Sequence, residues 1–151
     1  MCERQSCLEE LLPHMQEKLA SGESVRIIPG GNSMLPMLHP GRDTVILSPL
    51  PERLKKYDLP LYRRSDGKFV LHRIVEVGDT YTCVGDNQFQ TEPGIRPEQM
   101  IALVTGFIRN GKERSVRDPG YRLYCRIWHY SRKLRHVIKW PKYYLRRLWH
   151  E

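Results

Sequence analysis

A chain of 151 residues, 40% apolar and 28% charged, has room for one packed domain and an appendage, and no run in it approaches the ~20 apolar residues that a membrane span needs. Its polar, acidic first dozen residues do not read as a secretory leader, so a cytosolic protein is expected. The net charge of +8 lies wholly in residues 121–151, which hold nine Lys/Arg and one acid, Glu151; basicity therefore speaks for the partner of that tail and not for the main body.

The elements follow in chain order. Residues 1–24 read as a helical segment. Ser6 and Glu9 have capping-box spacing, and Leu8, Leu11, Leu12, Met15 and Leu19 recur at helical intervals. Pro13 predicts a kink or a later start, and Gly22 an end. From residue 25 the period changes. Runs 25–28, 44–47, 59–63, 69–77, 81–84 and 101–108 are short and β-branched or aromatic, and turn residues such as Pro29-Gly30-Gly31, Asp66-Gly67, Gly85-Asp86-Asn87 and Asn110-Gly111 separate them. This predicts a mainly β, α+β fold with antiparallel sheets over residues 25–111. Asp66-Gly67 is the strongest hairpin signal, because that pair tolerates positive φ. Asp118-Pro119-Gly120 reads as a hinge. Beyond it, residues 121–151 predict a basic, aromatic, amphipathic tail: Leu123, Ile127, Tyr130, Leu134 and Ile138 form one helical stripe, and Arg122, Arg126, His129, Lys133 and His136 another. Trp140-Pro141 breaks this pattern before a second short helix over 142–149.

Four cysteines (Cys2, Cys7, Cys83 and Cys125) are scattered, with no CxxC pair. They read as reduced structural thiols, and no clustered ligand set suggests a metal or other cofactor.

Three segments could carry chemistry. In Gly30-Gly31-Asn32-Ser33-Met34-Leu35-Pro36, a serine follows two glycines. Glycines allow the close backbone approach that an exposed nucleophile and an oxyanion hole require, although serine in such a turn is also ordinary turn chemistry. In Phe69-Val70-Leu71-His72-Arg73-Ile74-Val75, a histidine lies within an apolar run. Alternation puts His72 on one face with Val70 and Ile74, and Arg73 on the other. Such a histidine is either a core residue bonded to a carbonyl or a general base. Asp86, in the turn after 81–84, is either a turn former or the acid that orients His72, and Glu92 is a second, reserve acid.

Taken in order, GNSMLPML, Gly41-Arg42-Asp43, Tyr57-Asp58, LHRIV and VGDNQ resemble the signal-peptidase-like serine peptidases, a family that includes the self-cleaving SOS repressors. The resemblance spans residues 25–109. It implies an antiparallel, coiled-sheet peptidase domain with Ser33 as nucleophile. It implies His72 as base, as in the endoplasmic-reticulum and archaeal branch, where most bacterial members have lysine. It also implies Asp86 as the assisting acid and an oxyanion hole made by the amides of Ser33 and Gly31. The implied substrate is an extended peptide or protein segment that adds as a strand beside the nucleophile. The expected activity is a serine endopeptidase acting through an acyl-enzyme, on leader or signal-like peptides. The competing reading is a catalytically idle peptide-binding module, or an adaptor working through its tail. For the tail, an anionic membrane surface is the favoured partner and would make the protein membrane-peripheral. A packed or partner-bound helix ranks next, and nucleic acid last.

Overall fold

A computed structural model describes residues 2–135 and 137, with the side chains of residues 2–7 excepted. Helix α1 (Cys2–Ala20) leads into β1 (Val25–Ile27), β2 (Thr44–Ser48), β3 (Pro60–Arg63), β4 (Phe69–Leu71), β5 (Arg73–Val77), β6 (Tyr81–Val84), β7 (Glu92–Ile95), β8 (Met100–Arg109), β9 (Lys112–Ser115) and α2 (Pro119–Tyr130). The strands form two antiparallel sheets. The larger runs β1-β2-β8-β3-β4, with β9 also paired to β8; the smaller runs β5-β6-β7. The expected mainly β, antiparallel α+β class is the one observed.

Several predicted features are placed differently. Helix α1 begins at Cys2, so Ser6 lies inside it and does not cap it, and the helix continues through Pro13. Met15 and Leu19 are buried in the core and Leu8 and Leu12 pack beside it, but Leu11 faces solvent. The run 69–77 is not one strand. It breaks at His72, where the chain leaves the larger sheet and enters the smaller. Two strands had no apolar signal: β7, with sequence EPGI, and β9, with sequence KERS. The Asp66-Gly67 hairpin forms between β3 and β4, with Gly67 at φ 85°, a conformation that only glycine adopts freely.

Two clusters hold these layers together. The first joins Met15 and Leu19 of α1, Met34, Met37 and Leu38 of the loop after β1, and Val45, Leu47, Leu61, Phe69, Ala102, Val104 and Phe107 of the larger sheet. The second lies between the sheets, with Tyr62 and Met100 from one and Ile74, Tyr81, Cys83 and Ile95 from the other. Each fully buried apolar side chain contributes about 1.5–3 kcal/mol. Among the described residues, no helix is long and apolar enough to cross a membrane.

Helix α2 starts at Pro119, where a missing N–H leaves no donor unmet. One face of it docks on the β body. Tyr121 packs on Phe107 with ring centroids 5.9 Å apart, and Cys125 is buried. The opposite face carries Leu123, Ile127 and Tyr130, all exposed. The apolar stripe expected from periodicity thus faces outward, and the aromatic and cysteine face packs inward. Ile138 and the segment 142–149 lie outside the described residues.

Candidate active site

Ser33 is set by what surrounds it. Met34, Met37 and Leu38 anchor the following turn in the core, and Leu38 N donates to Met34 O at 2.9 Å. Beneath this turn, buried Asp43 accepts hydrogen bonds from Arg42 and Arg109, and Arg109 also donates to Met37 O. The Gly41-Arg42-Asp43 block is therefore a clamp on the serine loop. The other side of Ser33 rests on the turn after β6. Asn87 N donates to Ser33 O at 2.8 Å, and Asn87 Nδ2 to Asn32 O at 3.2 Å. A Cβ added at Gly85 would lie 2.6 Å from Ser33 O and 3.0 Å from Ser33 Cβ. Glycine is therefore required there, because the serine loop occupies the space that a side chain would take. Gly31 is exposed, and an added Cβ would meet nothing within 4 Å.

His72 is 2% exposed. Its Nδ1 lies 3.2 Å from Glu92 Oε1 and 3.3 Å from the Tyr62 hydroxyl. That hydroxyl donates to Glu92 Oε2 at 2.8 Å, and Arg64 binds both oxygens of the same carboxylate. Burial lowers the His72 pKa from 6.5 to about 4, against the opposing pull of Glu92. Partial burial would raise the Glu92 carboxyl, but hydrogen bonds from Arg64 and Tyr62 outweigh it and hold the group below its ordinary value. Cys83, between the sheets, has its thiol pushed up to about 12 by burial and by Glu92. It is a protonated neighbour of this cluster.

The register links the two halves. Arg73 pairs with Val84 at the ends of β5 and β6; His72 directly precedes that pair on one strand, and Gly85, the residue on which Ser33 packs, directly follows it on the other. The alternation expected for 69–77 persists across the strand break. Ile74 and Val70 join the cluster containing Tyr62, and Arg73 turns the other way.

On that other side lies Asp86. Its carboxylate accepts two hydrogen bonds from Arg73, each 2.8 Å long, and a third from Tyr124 at 3.0 Å. Arg73 in turn donates to Tyr57 O, Tyr121 Oη and Cys125 Sγ. The Asp86 carbonyl accepts from Trp128 Nε1 at 2.7 Å and from Arg135 at 3.3 Å. Asp86 is thus engaged in a buried ion pair that seats α2, while its charge also acts on His72. The acid against the imidazole is Glu92, the reserve candidate. Tyr62 and Arg64 went unnoticed in the sequence, although both lie on one face at the end of β3 by simple alternation.

Comparison with family models, with curated proteins and with solved structures finds no match to this chain.

Proposed function

We propose that the chain is a serine endopeptidase of the signal-peptidase-like kind, with Ser33 as nucleophile, His72 as general base and Glu92 as the acid that orients it. The observation that carries this reading is the placement of His72. Its Nδ1 faces the Glu92 carboxylate, and it immediately precedes Arg73, whose strand partner Val84 leads into the glycine against which Ser33 packs. A carboxylate at Nδ1 favours the tautomer with the proton on that nitrogen, which leaves the Nε2 lone pair to accept one.

In the proposed reaction, Nε2 takes the proton from Ser33 Oγ as Oγ bonds to the scissile carbonyl carbon. The oxyanion so formed is met by backbone amides of the loop, with Ser33 and Gly31 as the candidate donors. The C–N bond then breaks, and the imidazolium returns its proton to the departing amine. Water, deprotonated by the same nitrogen, releases the acyl group as a carboxylate and restores the Ser33 hydroxyl. Glu92 stabilises the imidazolium at both steps. Burial makes His72 a weak base in the resting protein, so the nearby negative charge matters most once the proton has moved. Open space at Gly31 is consistent with an extended peptide approaching the loop.

The test is cleavage of a peptide library by the intact protein and by Ser33→Ala. The reading requires cleavage by the first and loss of it in the second with the fold unchanged. Peptide binding without cleavage by the intact protein would instead support an idle binding module.

A further inference from the structure

Helix α2 and the residues just after it present a row of exposed apolar side chains, of which Tyr130 also reaches the Tyr57 hydroxyl of the body. Leu123, Ile127, Tyr130, Leu134 and Val137 are 56%, 58%, 73%, 63% and 62% exposed. Leu123, Ile127 and Tyr130 belong to α2 and, at 100° per residue, fall within an arc of roughly 60°, opposite the Tyr121, Tyr124, Cys125 and Trp128 face that grips the body; Leu134 and Val137 follow beyond the helix end at Ser131. Arg122 and Arg126, both exposed, line one border of the α2 stripe, and Lys133, also exposed, follows beyond the helix end. No acid occurs between Asp118 and Glu151.

We propose that this outer face of α2 docks the protein on an anionic lipid bilayer, with the apolar stripe in the acyl boundary and the cationic border at the headgroups. An apolar stripe of this length is costly to leave in water, and a basic border beside it matches a negatively charged surface. Nucleic acid fits less well. It draws on cations and stacking aromatics, but Tyr124 and Trp128 are stacked on each other and turned onto Asp86. A second copy of the chain would bring like charges together. Because Trp128 and Tyr124 hold Asp86, and Asn87 of the same turn holds Ser33 O, docking through α2 would fix the candidate site relative to the bilayer surface.

The experiment is vesicle co-sedimentation of the full-length protein, using phosphatidylcholine vesicles with and without phosphatidylglycerol, at low and high salt. The Leu123→Glu/Ile127→Glu variant is run alongside, since both positions are exposed and their replacement leaves the packed face intact. The expected result is binding that needs phosphatidylglycerol, weakens with salt, and falls on the order of a hundredfold in the variant. Three results would overturn the proposal. One is no binding to anionic vesicles at low salt. Another is binding indifferent to the double substitution, which would point to charge alone and so to nucleic acid or an acidic protein. The last is a stripe-dependent dimer that forms without lipid and excludes it. None of these readouts depends on peptide cleavage, so the docking and the proposed activity stand or fall separately.

Discussion

At the scale of single residues, the first-choice acid of the sequence, Asp86, and the reserve, Glu92, have different partners. Asp86 neutralises Arg73, which is as buried as His72, whereas Glu92 faces the imidazole. Asp86→Asn leaves a guanidinium buried without its partner, a loss of roughly 3–5 kcal/mol; thermal unfolding should show a Tm lower by roughly 10 °C or more. Glu92→Gln should instead lower kcat by about 10²–10⁴-fold and change KM little, because the imidazolium that it supports exists only along the reaction path. Steady-state kinetics and calorimetry on the two variants separate these roles, and a large kcat loss in the folded Asp86→Asn protein with none in Glu92→Gln would reverse them. The pH profile belongs here too. A histidine held near 4 by burial is already neutral at pH 5, so kcat/KM should be flat from pH 5 to 8 and fall as pH drops through about 4. Half-maximal activity near 6.5, the value of an exposed imidazole, would contradict the buried base. Stability follows the same sign. Between about pH 6.5 and 4 the unfolded chain binds a proton that native His72 refuses, so stability falls as pH is lowered through that window, by about 3 kcal/mol in all.

At the scale of elements, the turn after β6 does two jobs. Its Gly85 and Asn87 hold the Ser33 loop, and its Asp86 holds α2. Gly85→Ala puts a methyl 2.6 Å from Ser33 O and must displace the serine. Cleavage should fall at least about 10²-fold, with a stability loss of only about 1–3 kcal/mol; unchanged cleavage by the purified variant would detach this turn from the site. Elements with local signals were legible in the sequence. These include most of the β-branched runs and the Asp66-Gly67 hairpin. What was not legible depends on partners distant in the chain. Strand β9, with its KERS sequence, exists because β8 offers it an edge, and polar residues can serve an edge strand as well as apolar ones. The break at His72 comes from a sheet change that alternation alone does not mark. The outward turn of the α2 stripe follows from Arg73 and Asp86, which make a polar socket for Tyr121, Tyr124 and Trp128; periodicity reports that a helix has two faces but not which one finds a polar host.

At the scale of the whole molecule, the candidate site lies where the two sheets and the loop after β1 meet. His72 is the link between sheets, Glu92 opens the third strand of the smaller one, and Tyr62 comes from the larger. The inner face of α2 covers the other side of the same junction, so the basic segment begins as part of the body. A chain truncated after Ser115 would uncover Phe107 and the Arg73 and Asp86 pair. It should unfold at markedly lower denaturant than the full chain, whereas equal midpoints would mean that α2 contributes nothing to the body. The proposed peptidase activity rests on Ser33 being an activated nucleophile. The most direct measurement is the intact mass of the protein after reaction with a serine-directed phosphonylating reagent, for wild type, Ser33→Ala and His72→Ala. The account predicts a single adduct on Ser33 in the wild type, none in Ser33→Ala and a much slower reaction in His72→Ala. An unmodified wild-type protein, or an adduct that persists in Ser33→Ala, would contradict it.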